Sequence, residues 1–189
     1  DVESRGLGDV YKRQIVLIAT MAAWLMALAL HLKPVDFLPL NLSMLQYIVF
    51  RLLTSFCGVF GFSIMFNSPV PLAMSAAVIG AISNTLRLEL VDLASFPPAA
   101  AAFFAAMIAG LLASAYKKHS GFPRIAITVP SIVIMVPGLY LYRAIYNLGM
   151  MNLSISASWF ASATLIIFAL PLGLIFARIM TDKMFRYCT

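Results

Sequence analysis

Long apolar stretches, each closed by a short cluster of polar or helix-breaking positions, dominate this chain. A bilayer core about 30 Å thick is crossed by about 20 apolar residues in helical form. The charge-free runs therefore predict the spans. Ile15–Leu30 is the first, bounded by His31 and Lys33. Leu52 to Leu86 carries no charge and is far too long for one span; Asn67-Ser68-Pro69 and Pro71 divide it. With Ser68 as a helix cap and Pro69 at the first helical position, it predicts two helices, over 45–66 and 69–88. Leu93–Tyr116 follows, opening at Pro97-Pro98. Ile125–Tyr142 comes next, interrupted by Pro130 and Pro137-Gly138. Ala144–Ala177 holds the last helix, over 155–179, after a polar turn with Asn147, Gly149 and Asn152. The fold class read from this pattern is all-α: a polytopic membrane helix bundle of about six transmembrane helices, one broken at Pro130 and Pro137-Gly138. The apolar/polar alternation of a β-barrel strand is nowhere present.

Composition supports the same class. Of 189 residues, 62% are hydrophobic and 11% charged, against about 25% charged in ordinary soluble domains. A soluble enzyme domain, a disordered tail and a nucleic-acid-binding module are excluded, so no nucleic-acid partner is expected. Cys57 and Cys188 are too few for a disulfide scaffold and lack metal-ligand spacing. The net charge of +6 reads as basic residues gathered at one membrane face. Lys117, Lys118 and Arg124 lie between spans, and Arg178, Lys183 and Arg186 at the C-terminal end. In a six-span topology both groups fall on one side, predicted to be cytoplasmic, with the C-terminus there too. Lys33, Arg51, Arg87 and Arg143 fall on the opposite side, partly offset by Asp36, Glu89 and Asp92.

Asp1–Gln14 stands apart: polar, with three acidic and three basic residues, and ending abruptly at Ile15. No small-residue cleavage site follows it, so it is no signal peptide. RGLGDVYKRQ resembles a translated adapter sequence, and 1–14 is expected to be a non-native leader, the true N-terminus missing. The remainder divides into a first helix (15–32), a five-helix membrane domain (45–180) and a cytoplasmic tail (181–189).

Two helices carry small-residue stripes: Ala102, Ala106, Gly110 and Ser114 on one, and Ala73, Ala77 and Ala81 beside Ala76, Gly80 and Asn84 on the other. Small side chains let helices approach closely where lipid supplies no hydrophobic drive. The stripes fit plain bundle packing or a sliding interface.

Chemistry is sparse. There is no Walker A motif, no G-x-S-x-G, no H-E-x-x-H and no Cys/His cluster, so no enzyme activity, metal or cofactor is expected. His31 and His119 lie at predicted rims, and the four acids outside the leader (Asp36, Glu89, Asp92, Asp182) lie at rims or in loops. The broken span is the main candidate. Proline removes a backbone donor, and non-helical backbone at membrane depth is tolerated only inside protein or along a wet cavity. Secondary transporters place solutes at such breaks, with half-helix N-termini facing anionic groups. Ser131, Pro137 and Gly138 are thus candidate site elements, against a tolerated proline kink. Asn84 and Arg87 are three apart and share a helix face. Asn67 sits at a hinge, as a contact or a turn residue. Tyr142 and Arg143 follow the break. Arg143 has the geometry for a bidentate bond to a carboxylate; the alternative for Arg87 and Arg143 is interfacial anchoring, and for the tyrosines an aromatic belt.

GFSIMFNSPVPLAMSAAVIGAISNTLR (61–87) and VPSIVIMVPGLYLYRAI (129–145) resemble the membrane half of the threonine/serine exporter family. Gly61, Phe62, Phe66, Asn67 and Pro69 match its G-F-x-x-x-F-N-x-P, followed by Gly80-Ala81; Val136, Pro137, Gly138, Tyr142, Arg143 and Ala144 match V-P-G-x-x-x-Y-R-A. Pro130-Ser131 departs, since glycine commonly follows that proline in the family. The resemblance covers roughly 45–180. It implies ion-gradient-driven export of threonine and serine or of C4-dicarboxylates such as succinate. It also implies that this chain is the C-terminal half of a protein whose first half is fused or separate, with 15–32 similar to the last helix of that half. The implied partners are a small carboxylate-bearing metabolite, membrane lipids, a first-half domain or subunit, and a second copy of the chain. The competing expectation is a non-transporting membrane scaffold within a larger complex.

Overall fold

A computed structural model describes residues 2–31, 43–121 and 123–182. Among these residues all regular structure is helical: α1 (Val2–Ala29), α2 (Met44–Met65), α3 (Val70–Asp92), α4 (Pro98–Ser120), α5 (Arg124–Val133), α6 (Gly138–Gly149) and α7 (Leu153–Thr181). The expectations on Lys33, Asp36, Lys183, Arg186 and Cys188 lie outside the described residues. α2, α3, α7 and the Pro98–Tyr116 part of α4 are long and apolar enough to cross a membrane, and α5 and α6, bent by 44° at their break, pass the same test together, as a broken span or a re-entrant loop. The first expected span, Ile15–Leu30, corresponds to α1, whose apolar portion, Ile18–Ala29, is shorter. α1 starts at Val2, so most of the stretch set apart as a leader is helical and continuous with it.

Two local expectations are corrected. Ser68 does not cap α3: Pro69 occupies the cap position, with no side-chain bond, and Pro71 sits in the first turn, where the missing amide hydrogen costs nothing. Pro130 does not break its span either. It lies inside α5, giving up only its own bond to the preceding turn, and the helix ends at Val133, ahead of Pro137. A feature not anticipated is the capping box of α2, in which Ser43 and Gln46 each bond the other's backbone amide.

α3 packs against α2, α4 and α5, while the most extensive helix contact is between α4 and α7. Both small-residue stripes face inward: Ala73, Ala76 and Ala77 on α3, and Ala102, Ala105 and Ala106 on α4, are fully buried. α7 supplies a third stripe, Ala163, Ile166, Leu170, Gly173 and Ala177. Large apolar side chains such as Phe160, Leu165, Phe168 and Phe176 point outward, as expected where lipid is the surrounding medium. Close approach is literal at Gly80, where an added Cβ would stand 2.8 Å from the Ser131 carbonyl oxygen and 2.7 Å from Val59.

Candidate functional site

The break between α5 and α6 is built by local turns. Met135 and Val136 bond back to the carbonyls of Ile132 and Val133, and Gly138 bonds to Val136, at 2.9, 3.1 and 2.8 Å. Pro137 is buried, whereas Gly138 is exposed and has nothing within 4 Å of an added Cβ. The Pro-Gly step is therefore open on one side, and the first-turn amides of α6 begin there.

On its inner side the break meets α3. The Arg87 guanidinium donates to the Met135 carbonyl oxygen at 3.2 Å, one of the acceptors that the interrupted helix releases. Asn84, one turn earlier, is 5% exposed and donates from Nδ2 to Ser55 Oγ of α2 at 2.8 Å. Asn84 Oδ1, Thr85 Oγ1 and Arg87 Nε are buried and bond to no protein group. Such atoms are costly in a low-dielectric interior unless a polar solute or water pairs with them. Together they offer a hydroxyl, an acceptor and a cationic donor within four residues of one helix.

Two turns of α2 and α3 frame this cluster. Arg51 bonds Glu89 at 2.8 Å and also pairs with Asp92, tying α2 to α3 beyond Arg87. Glu89 and Asp92, expected merely to offset the basic residues of that end, thus form direct ion pairs with one of them. On the far side of α6, the Arg143 guanidinium stacks over the Trp159 ring of α7, 4.7 Å from its centroid. Tyr140 meets the same ring edge-on at 5.4 Å.

The structure brings Arg87 to the break through Met135, two residues before Pro137, while Asn84, one turn earlier on α3, turns to Ser55 of α2. It leaves Asn67 apart: exposed at the α2–α3 turn with a φ of 57°, a conformation asparagine tolerates better than most residues, and about 25 Å from Arg87 by helix rise. Tyr142 is partly exposed and packs on Tyr146 with ring centroids 6.3 Å apart. Ser131 is fully buried, and its hydroxyl bonds the carbonyls of Ala76 and Ile127 at 3.0 and 2.7 Å. That hydroxyl clips α5 to α3. Ser131→Ala is expected to cost about 1 kcal/mol and leave transport intact, read as a small drop in thermal midpoint with unchanged efflux. Ser55, Thr85 and Trp159 carried no sequence signal, since each acquires its role through a neighbour on another helix or through burial.

The family model described as "Threonine/Serine exporter, ThrE" matches residues 51–180, more than half of the chain. The chain belongs to the threonine/serine exporter family. No curated protein and no solved structure matches it. Membership makes the bundle a multi-pass membrane transporter of the threonine/serine-exporting type, with a small-molecule substrate. Both sequence motifs lie within the matched residues, and the second contains the break against which Arg87 packs. A further opening lies where α5 begins and α7 ends: a cavity of about 690 Å³ between these helices, with Ser114 of α4 on its wall.

Proposed function

We propose that this exporter chain carries threonine, serine or a C4-dicarboxylate past the Pro137-Gly138 step, driven by an ion gradient and working with a first-half domain or subunit. One observation carries the reading: Arg87 reaches the Met135 carbonyl at the break while three polar atoms of the same α3 turn are buried without a protein partner. All three solutes bear a carboxylate, which Arg87 and the N-terminal amides of α6 would recognise. Asn84 Oδ1 would accept a hydrogen bond from an amino acid's ammonium or hydroxyl group. Arg143, Tyr142, Asn67 and Ser131 take supporting places: Arg143 and Tyr142 beside the break, Ser131 in the α3–α5 contact, Asn67 at the opposite turn. The small-residue stripes would let helices rock without opening gaps. Arg124 and Arg178 share one end of the bundle with the α7 C-terminus, and we place that end in the cytoplasm of a cell whose inner membrane holds the protein.

The test is efflux of labelled threonine, serine and succinate from proteoliposomes, with the chain alone and with a first-half subunit. Flux above empty vesicles for at least one solute, rising with an imposed ion gradient, is expected. No flux for any solute in either preparation would return the scaffold reading. Gly138→Val sharpens the test. The added side chain meets open space, so the variant is expected to fold with unchanged thermal stability yet lose about tenfold or more in efflux. Normal efflux would remove the Pro-Gly step from the solute path.

A further inference from the structure

The cavity where α5 begins and α7 ends has a composition the transport reading does not use. Its cationic groups are Arg124, the first residue of α5, and Arg178, in the last turn of α7. They sit where those helices end, at the rim of the bundle. Arg124 donates to Thr181 Oγ1 at 3.0 Å, and Ser114 Oγ lies 3.2 Å from the same oxygen. Among the described residues Asp182 is the one acid on the wall, 4.0 Å from Arg178 Nε. Two guanidinium groups outweigh it, and the hydroxyls of Ser114, Thr128 and Thr181 add polar surface while donating to carbonyls of their own helices.

Below this rim the walls change character. Ile125, Val129 and Ile175 line the same cavity and are 69%, 45% and 43% exposed. Val129 lies one turn beyond Ile125, and Ile175 nearly one turn before Arg178, so the apolar wall runs from the basic groups towards the middle of the span. A cationic, hydroxyl-rich rim above a lipid-facing apolar groove matches one ligand chemistry: an anionic phosphodiester head on an acyl chain. A free amino acid would gain nothing from the apolar part. We propose that this cavity binds an anionic phospholipid, its phosphate held by Arg124 and Arg178 and one acyl chain lying along Ile125, Val129 and Ile175. Basic pockets between membrane helices use this chemistry.

The experiment is lipid retention by the purified 189-residue chain in mixed micelles, read by native mass spectrometry. Phosphatidylglycerol competes with phosphatidylcholine, and inorganic phosphate and threonine serve as separate probes. The wild type is expected to retain phosphatidylglycerol at least about tenfold better than phosphatidylcholine. Arg124→Gln with Arg178→Gln should abolish that preference, and the paired lysine variant should keep most of it. Val129→Trp, which fills the groove and leaves both arginines in place, should lower retention and so tests the site even if the glutamine pair does not fold. Equal retention of the two lipids would overturn the proposal. So would a preference that survives both the glutamine pair and Val129→Trp, or threonine or phosphate binding that the glutamine pair abolishes while lipid retention is unchanged. None of these readouts involves efflux, so they stand or fall apart from the transport site.

Discussion

Arg87→Leu is expected to abolish export, lowering efflux by about 100-fold or more, while the protein still inserts and folds. Arg87 holds the Met135 carbonyl at the break, and its Nε is the cationic donor among the unpartnered atoms of α3. Leucine removes the group proposed to meet the carboxylate. Stability changes less than function because two effects oppose. Leaving a buried carbonyl unpaired costs about 1–3 kcal/mol, but removing a largely desolvated charge offsets part of that cost. Arg87→Lys keeps the charge and loses the planar fork, so its efflux should lie between the two. Efflux from proteoliposomes, compared with the thermal midpoint of each variant, separates the roles. Wild-type flux in Arg87→Leu would sink the site assignment; an unfolded protein with both variants would make Arg87 a structural clamp.

The largest stability effect is expected at Gly173→Val. A Cβ there would run into the carbonyl oxygen of Phe103, with Ala106 Cβ and the Met107 amide nitrogen each 3.0 Å away. Two of these three are backbone atoms of α4, which no rotamer change can move. α4 and α7 form the most extensive helix pair in the bundle, and small residues bring them together (Ala106 against Gly173 and Gly110 against Ala177). Overpacking typically costs about 1–3 kcal/mol where side chains yield; here the helices must separate along their length, and the cost is expected to exceed that range. Natural proteins are stable by only about 5–15 kcal/mol. Gly173→Val should therefore yield little monodisperse protein after detergent extraction. Gly61→Val is the control: Gly61 is exposed and an added Cβ meets nothing within 4 Å, so yield and melting should match the wild type. Equal yields for both variants would contradict the α4–α7 contact.

Helix positions were legible because, in lipid, a span has to be apolar over its full length, and a run of uncharged residues reports that directly. The predicted 45–66, 69–88 and 155–179 correspond to Met44–Met65, Val70–Asp92 and Leu153–Thr181. The inward stripes of α3 and α4 were equally legible, since alanine and glycine repeating at four-residue spacing have few uses other than close packing. The α7 stripe escaped because isoleucine and leucine interrupt its small residues. The two prolines of one span look alike in sequence. Pro130 stays within α5, while the helix ends before Pro137, where Gly138 then starts a new helix at an angle.

By itself, then, the sequence determined a helical membrane bundle of this exporter family, the place of its break and the residues near it, because hydropathy, proline and glycine act locally along the chain. Only the tertiary structure decided which polar groups meet. It set Arg87 on the Met135 carbonyl, Asn84 on Ser55, Arg51 between Glu89 and Asp92, and Arg143 on Trp159, and it separated Asn67 from them all. Each of those pairings joins different helices, and the relative rotation and depth of two helices follow from how their whole faces pack, which no local pattern of residues records.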